Sequence, residues 1–205
     1  MAGGGEGTGD RVVTRLLPAA ERGALRWKNG GGVTREIAVR PEGAGMDDFD
    51  WRVSLAEVAA DGPFSAFPGV DRTLTLVEGA GMDLTVGGER RLVDSRYAPQ
   101  DFRGDVRTDC RLLEGPVVNL NVMWRRGEGR TPPTVAVVRG ELHLPATPAL
   151  IVALDGTAEV AGLTLARYDA ALLTGEERGV LRTVGPAAVI GLAPGGRASR
   201  IPLTR

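Results

Sequence analysis

Lys28 and Asn29 stand immediately before Gly30-Gly31-Gly32 in the run RWKNGGGVTREIA (26–38). An ammonium and an amide beside three glycines make an anion site by composition. Glycine lets the backbone approach a ligand closely, and its free N–H groups can point at negative charge. Downstream, Thr34 and Glu36 share one face of an alternating segment, Arg52 and Ser54 share one face of the next, and Asn119 and Asn121 share one face of a third. An ammonium, a guanidinium, hydroxyls and amides are what recognition of a small carboxylate or amide requires. Two readings of these faces stand. They line the lumen of a small barrel, where a few polar groups orient a ligand in an apolar pocket. Otherwise they are the solvent sides of two-faced strands, which alternation alone produces.

Composition singles out one of these residues. Of 25 basic side chains only Lys28 is a lysine, and asparagine occurs only at 29, 119 and 121. A GC-rich genome drives lysine toward arginine. The surviving lysine is therefore either a chance remnant or a position that needs a compact ammonium.

Other chemistries find less support. The chain has one histidine, His143, and one cysteine, Cys110. A first-row metal site needs several nitrogen or thiolate ligands, and no Asp/Glu cluster has the spacing of an oxygen site. No metal and no cofactor are expected. His143 reads either as a solvent-facing strand residue or as half of an acid–base pair, and Cys110 as a small packed residue. GEGTG and NGGG are not phosphate loops, because no Lys-Ser/Thr opens a helix after them.

The elements that must position these residues read as strands. Glycine (30) and proline (13) punctuate a chain that is 42% hydrophobic, which implies many tight turns between short strands. VTREIAVR (33–40) and WRVSLAEV (51–58) alternate with a period of two. In the first, Val33, Arg35, Ile37 and Val39 oppose Thr34, Glu36 and Ala38. Val12–Leu17 reads as a first strand. Glu21–Gly32, Asp61–Gly69 and Arg96–Asp105 read as loops, and Arg125–Thr134 as a linker. No stretch of ten residues has a helical period, so the expected class is all-β. The halves also repeat: Gly79 and Gly156 follow similar strands 77 residues apart, and Gly-Pro strands begin at Gly115 and Gly185, 70 apart. This is the pattern of an internal duplication and looks like a pair of cupin-type jelly rolls. The expected organisation is a disordered tail (1–10), a first half holding the pocket (11–127) and a second half (128–205).

The net charge of −1 leaves no electrostatic footprint for nucleic acid or a membrane surface. No apolar run approaches the roughly 20 residues needed to span a bilayer, and MAGGGEGTGD lacks the features of a secretory signal. A soluble cytoplasmic protein is expected, as monomer or homodimer.

RWKNGGGVTREIA, DWRVSLAEVAADGPFSAFPGVDRTLTLVEG (50–79) and NVMWRRG (121–127) together resemble the HutD/Ves family. The resemblance implies a metal-free bicupin associated with histidine utilisation. It implies binding of a small anionic metabolite, such as urocanate, N-formylglutamate or a formate-like anion, that restrains the pathway, and it carries no established reaction. Carried over residue by residue, it points to Lys28, Asn29, Thr34, Glu36, Arg52, Ser54, Ser65, Arg72 and Asn121 as ligand-binding. Arg35 faces the other way and is expected to tie the barrel to its second half. Trp27 is either pocket wall or core, and Trp51 is read as core. The expected function is a non-catalytic carboxylate binder. The alternative is a metal-independent isomerase or hydrolase with Lys28 as base or amine nucleophile and Glu36 as its acid partner.

Overall fold

The computed structural model describes residues 14–173 and 179–192. The glycine-rich first ten residues lie outside them. Among the described residues the chain is all β apart from one 3₁₀ turn, Ala19–Glu21. The strands run β1 (Arg15–Leu17), β2 (Ala24–Arg26), β3 (Gly32–Arg40), β4 (Trp51–Val58), β5 (Gly62–Phe64), β6 (Val70–Glu78), β7 (Met82–Val86), β8 (Glu89–Val93), β9 (Pro99–Arg103), β10 (Thr108–Leu112) and β11 (Val117–Arg125). After the connection 126–133 come β12 (Thr134–His143), β13 (Ala149–Ala153), β14 (Ala158–Val160), β15 (Leu163–Leu165), β16 (Ala170–Leu173) and β17 (Val180–Gly191).

Three antiparallel sheets result. A six-stranded sheet has the order β2-β3-β4-β11-β6-β9, and a four-stranded sheet the order β5-β10-β7-β8. These two face one another around a lumen packed by Leu74, Leu76, Met82, Leu84, Cys110 and Val117. The third sheet, β1-β16-β13-β17-β14-β15 with β12 also on β17, encloses a second, aliphatic interior of Ile151, Ala153, Val160, Leu165 and Leu181. The back of the six-stranded sheet packs on the third sheet, Val53, Leu120 and Val122 meeting Leu150, Val152 and Ile190. Burying each such side chain contributes about 1.5–3 kcal/mol, so this seam holds the halves together. β1 belongs to that seam: it is the first strand of the described residues, Val12 and Val13 of the expected Val12–Leu17 strand lying outside them, and it pairs with β16.

The repeat seen in the sequence has a structural counterpart. β11 and β17 are central strands pairing with β6 and β13. Gly79 and Gly156 both have positive φ, 93° and 70°. A Cβ on Gly79 would lie 2.6 Å from Pro116 O, and one on Gly156 3.2 Å from Gly185 N. The same corner, a turn glycine tight against a Gly-Pro strand, is thus built twice. An Arg-Tyr pair repeats as well: Tyr97 and Tyr168 have φ of 66° and 68°, and their N–H groups donate to Leu76 O and Ala153 O.

Four local expectations change. Glu21–Gly32 and Asp61–Gly69, read as loops, contain the short edge strands β2 and β5, which pair with β3 and β10 despite their glycines. The segment Arg96–Asp105, read as a loop, contains β9 on the sheet edge, where Pro99 as first residue costs no ladder bond. The clean alternation of β3 also breaks. A bulge between Glu36 and Ala38 leaves Ile37 and Ala38 in the inter-sheet core and turns Val39 toward Phe49, Val70 and Met123. The extra residue re-aims the strand after Glu36.

Candidate functional site

Register alone places the polar residues. Glu36 pairs with Ser54, Ser54 with Asn121, and Asn121 with Leu74. One step along, Val39, Arg52, Met123, Arg72 and Phe102 form the next cross-strand row. On the other side Thr34, Ala56, Asn119 and Leu76 form a third. Their strand neighbours Val53, Leu55, Leu120 and Val122 point into the inter-sheet core, so these rows face the lumen. Of the nine residues carried over, Thr34, Glu36, Arg52, Ser54, Arg72 and Asn121 therefore share one wall.

Two guanidinium groups on that wall differ in their partners. Arg52, 8% exposed, has its Nε 3.0 Å from Glu36 Oε2, and its Nη1 lies against Met46 Sδ. Its charge is answered. Arg72, 9% exposed, has no carboxylate partner among the described residues. Its Nε and Nη2 both donate to Asn121 Oδ1 at 3.3 Å. The guanidinium carbon lies 5.2 Å from the ring centres of Phe64 and Phe102 and 5.9 Å from that of Phe67. Burial pushes the guanidinium down to about 10, so it remains charged at neutral pH. The Asn121 amide occupies the side edge of the fork. The end edge, Nη1 with Nη2, keeps the geometry that accepts a carboxylate bidentately. A buried cation held only by rings and one amide has donor capacity that an anion can use.

Three of the nine stand apart from the wall. Lys28 and Asn29 are exposed in the β2–β3 hairpin turn, and Ser65 is exposed just after Phe64. Asn29 Oδ1 accepts the Gly31 N–H at 3.1 Å, so the amide shapes its own turn. Positive φ falls on Gly30 (73°) rather than on Gly31. Gly32 is held sterically: a Cβ there would lie 2.5 Å from Glu57 O and 3.0 Å from the Trp27 ring. Trp27 ties the hairpin to the lumen, donating from Nε1 to Thr34 Oγ1 at 2.8 Å and meeting Phe64 edge-on at 6.1 Å. Arg35 lies 4.0 Å from Glu57, within its own sheet, and among the described residues it forms no ion pair or side-chain hydrogen bond with the second half. Trp51 packs on the inter-sheet core.

The other chemical candidates are quiet. His143 is 82% exposed beside Glu141 on β12. Cys110 is buried, and burial, with Asp61 and Asp83 nearby, pushes its thiol up to about 12. Among the described residues no three of His, Cys, Asp and Glu are grouped to hold a metal. The lumen wall offers two guanidinium groups and one carboxylate already engaged by Arg52, which does not fit a divalent cation. No helix of the described residues is long and apolar enough to cross a membrane. Two clefts of about 560 and 580 Å³ open on the described residues, one lined by Trp51 and Trp124 and the other by Arg72, Asp101, Phe102 and Pro133.

Missing from the sequence reading were the ring residues Phe64, Phe67 and Phe102. The signal available was rarity: the chain has four phenylalanines, and three of them surround one arginine.

Comparison with known proteins gives a consistent picture. The sequence profile of the HutD family matches residues 19–190. An uncharacterised 21.2 kDa protein from the hutC 3′ region of Pseudomonas putida is 37% identical over 110 residues, 54% of this chain and 57% of that protein. Protein Ves of Citrobacter koseri is 42% identical over 101 residues, 49% of this chain and 52% of that protein. The chain spans just over half the length of these curated relatives. The solved structure of HutD from Pseudomonas fluorescens SBW25, in a formate condition, is 31% identical with a TM-score of 0.79, covering 91% of this chain and all of that one. A cupin 2 conserved barrel protein from Leptotrichia buccalis, 13% identical with a TM-score of 0.55 over 82% of this chain and 92% of that one, shares the fold.

Proposed function

The chain belongs to the HutD family, and we propose that it is a metal-independent binding protein for a small carboxylate, held in the lumen of the first barrel. One observation carries this: Arg72 is buried, charged and, among the described residues, without a carboxylate partner and with its end edge unused. Among the described residues the buried polar and charged side chains all belong to the first half, and the second interior is built from aliphatic residues. A relative in the hutC region and a HutD neighbour support the finer reading. By that reading the ligand is an intermediate of histidine utilisation, such as urocanate or N-formylglutamate, and its binding restrains the pathway. The catalytic alternative requires a desolvated Lys28 amine with Glu36 as acid. Lys28 is exposed and Glu36 is bound to Arg52, so no specific observation favours it.

A thermal-shift series with formate, urocanate and N-formylglutamate tests the proposal. At about 100 times the dissociation constant a native-state ligand adds about 2.7 kcal/mol, a rise of roughly 5–10 °C for a chain this size. A rise with at least one acid, lost in Arg72→Met, is expected. A flat series, or a rise that survives Arg72→Met, refutes the carboxylate site.

A further inference from the structure

Beside Arg72 the lumen wall carries polar groups that the fold does not use. Ser54 and Asn119 are each 2% exposed, and neither side chain makes a hydrogen bond within the described residues. A buried hydroxyl or amide left without a partner costs about 1–3 kcal/mol. Fully enclosed polar atoms without a partner are confined, among the described residues, to Thr75 Oγ1 and two nitrogens of Arg22. The Ser54 hydroxyl and the Asn119 amide therefore border the lumen rather than packed apolar atoms. Asn121, 7% exposed, completes the row. Because its Oδ1 receives both bonds from Arg72, its Nδ2 donor is turned away from the guanidinium. Ser54 stands directly across from Asn121, and Asn119 is one lumen-facing step further along β11.

We propose that Ser54, Asn119 and the Asn121 Nδ2 read a second, neutral polar group on the same ligand. This rests on the carboxylate reading of Arg72 and sharpens it. The step between like-facing residues on a strand is about 6.8 Å and that between strands about 4.8 Å. The ligand is thus an acid whose amide, hydroxyl or ring N–H lies roughly 5–7 Å from its carboxylate. The group is neutral because Ser54, Asn119 and the Asn121 amide carry no charge, Glu36 in the same row is held by Arg52 at 3.0 Å, and Arg72 takes the carboxylate. A second full charge placed there would be desolvated without a partner.

Urocanate and cinnamate separate the two readings, since they share a propenoate carboxylate and differ in an imidazole against a phenyl ring. Calorimetric titration of the full chain should give urocanate at least about tenfold tighter than cinnamate. Asn119→Leu, similar in size and apolar, should bring the two acids within about twofold while formate affinity is unchanged. Should that variant misfold, Ser54→Ala provides the same ratio. Equal binding of the two acids by the unmodified protein overturns the proposal, as does a variant that weakens formate and urocanate alike. Failure of the carboxylate reading has a different signature: no acid binds at all, or Arg72→Met keeps its formate affinity.

Discussion

Replacing Arg72 by methionine should nearly eliminate carboxylate binding while leaving the fold standing, and the two magnitudes can be worked separately. Burial pushes the guanidinium down to about 10, which corresponds to about 3 kcal/mol of penalty on the charged form. That penalty disappears with the charge, and methionine returns apolar contact to Phe64 and Phe102. Against this stand the ring contacts, about 0.5–2 kcal/mol each, and the Asn121 carbonyl left without its donor, about 1–3 kcal/mol. The terms oppose, so urea denaturation should show a net loss of unfolding free energy of no more than about 6 kcal/mol. Affinity has no such compensation. A bidentate carboxylate loses two charge-assisted hydrogen bonds, each about 1.5–3 kcal/mol. Calorimetry with urocanate or formate should therefore show at least about a hundredfold weakening. A variant that fails to fold would make Arg72 a structural post, and one that binds within twofold of the parent would remove the anion site from the lumen.

Four further outcomes follow from the same geometry. Lys28→Met should shift stability by less than about 0.5 kcal/mol, as exposed substitutions do, and should weaken carboxylate binding less than tenfold; a loss as large as that of Arg72→Met would bring the hairpin into the site. Gly32→Ala should destabilise by about 2 kcal/mol or more, because its Cβ meets Glu57 O at 2.5 Å and the Trp27 ring; an unchanged urea midpoint would show that the hairpin yields freely. Cys110 should resist thiol reagents at pH 8 until the chain unfolds, a rate measurable with a chromogenic disulfide. Its raised folded pKa further means that the thiol's contribution is complete below about pH 9 and is lost as pH climbs toward about 12, so a Cys110→Ala variant should show a shallower fall in stability across that window.

Much of the site wall was legible in the sequence. Thr34 with Glu36, Arg52 with Ser54 and Asn119 with Asn121 were paired by alternation, and the strands do carry them on one face. The duplicated Gly79 and Gly156 corners were legible too, because a glycine before a short strand leaves a fixed mark. What the sequence hid was partnership. Twenty-four arginines look alike in a string, and only the register reveals that Arg52 meets Glu36 while Arg72 meets rings. The bulge in β3 was hidden for a related reason: Ile37, Ala38 and Val39 are all apolar, so nothing in the pattern marks the residue that turns. Composition pulled attention to Lys28, yet uniqueness does not specify depth, and the side chain is exposed. Asn29 could have been read as a turn residue, since an asparagine before glycines commonly accepts a backbone N–H two residues on.

The most direct measurement is a crystal structure of the protein grown with a carboxylate, formate or urocanate, at saturating concentration. The expected result is a carboxylate in the first lumen with its oxygens within hydrogen-bond distance of Arg72 Nη1 and Nη2. An acid seated instead in the cleft beside Trp51 and Trp124, with Arg72 still bound only to Asn121, would contradict it.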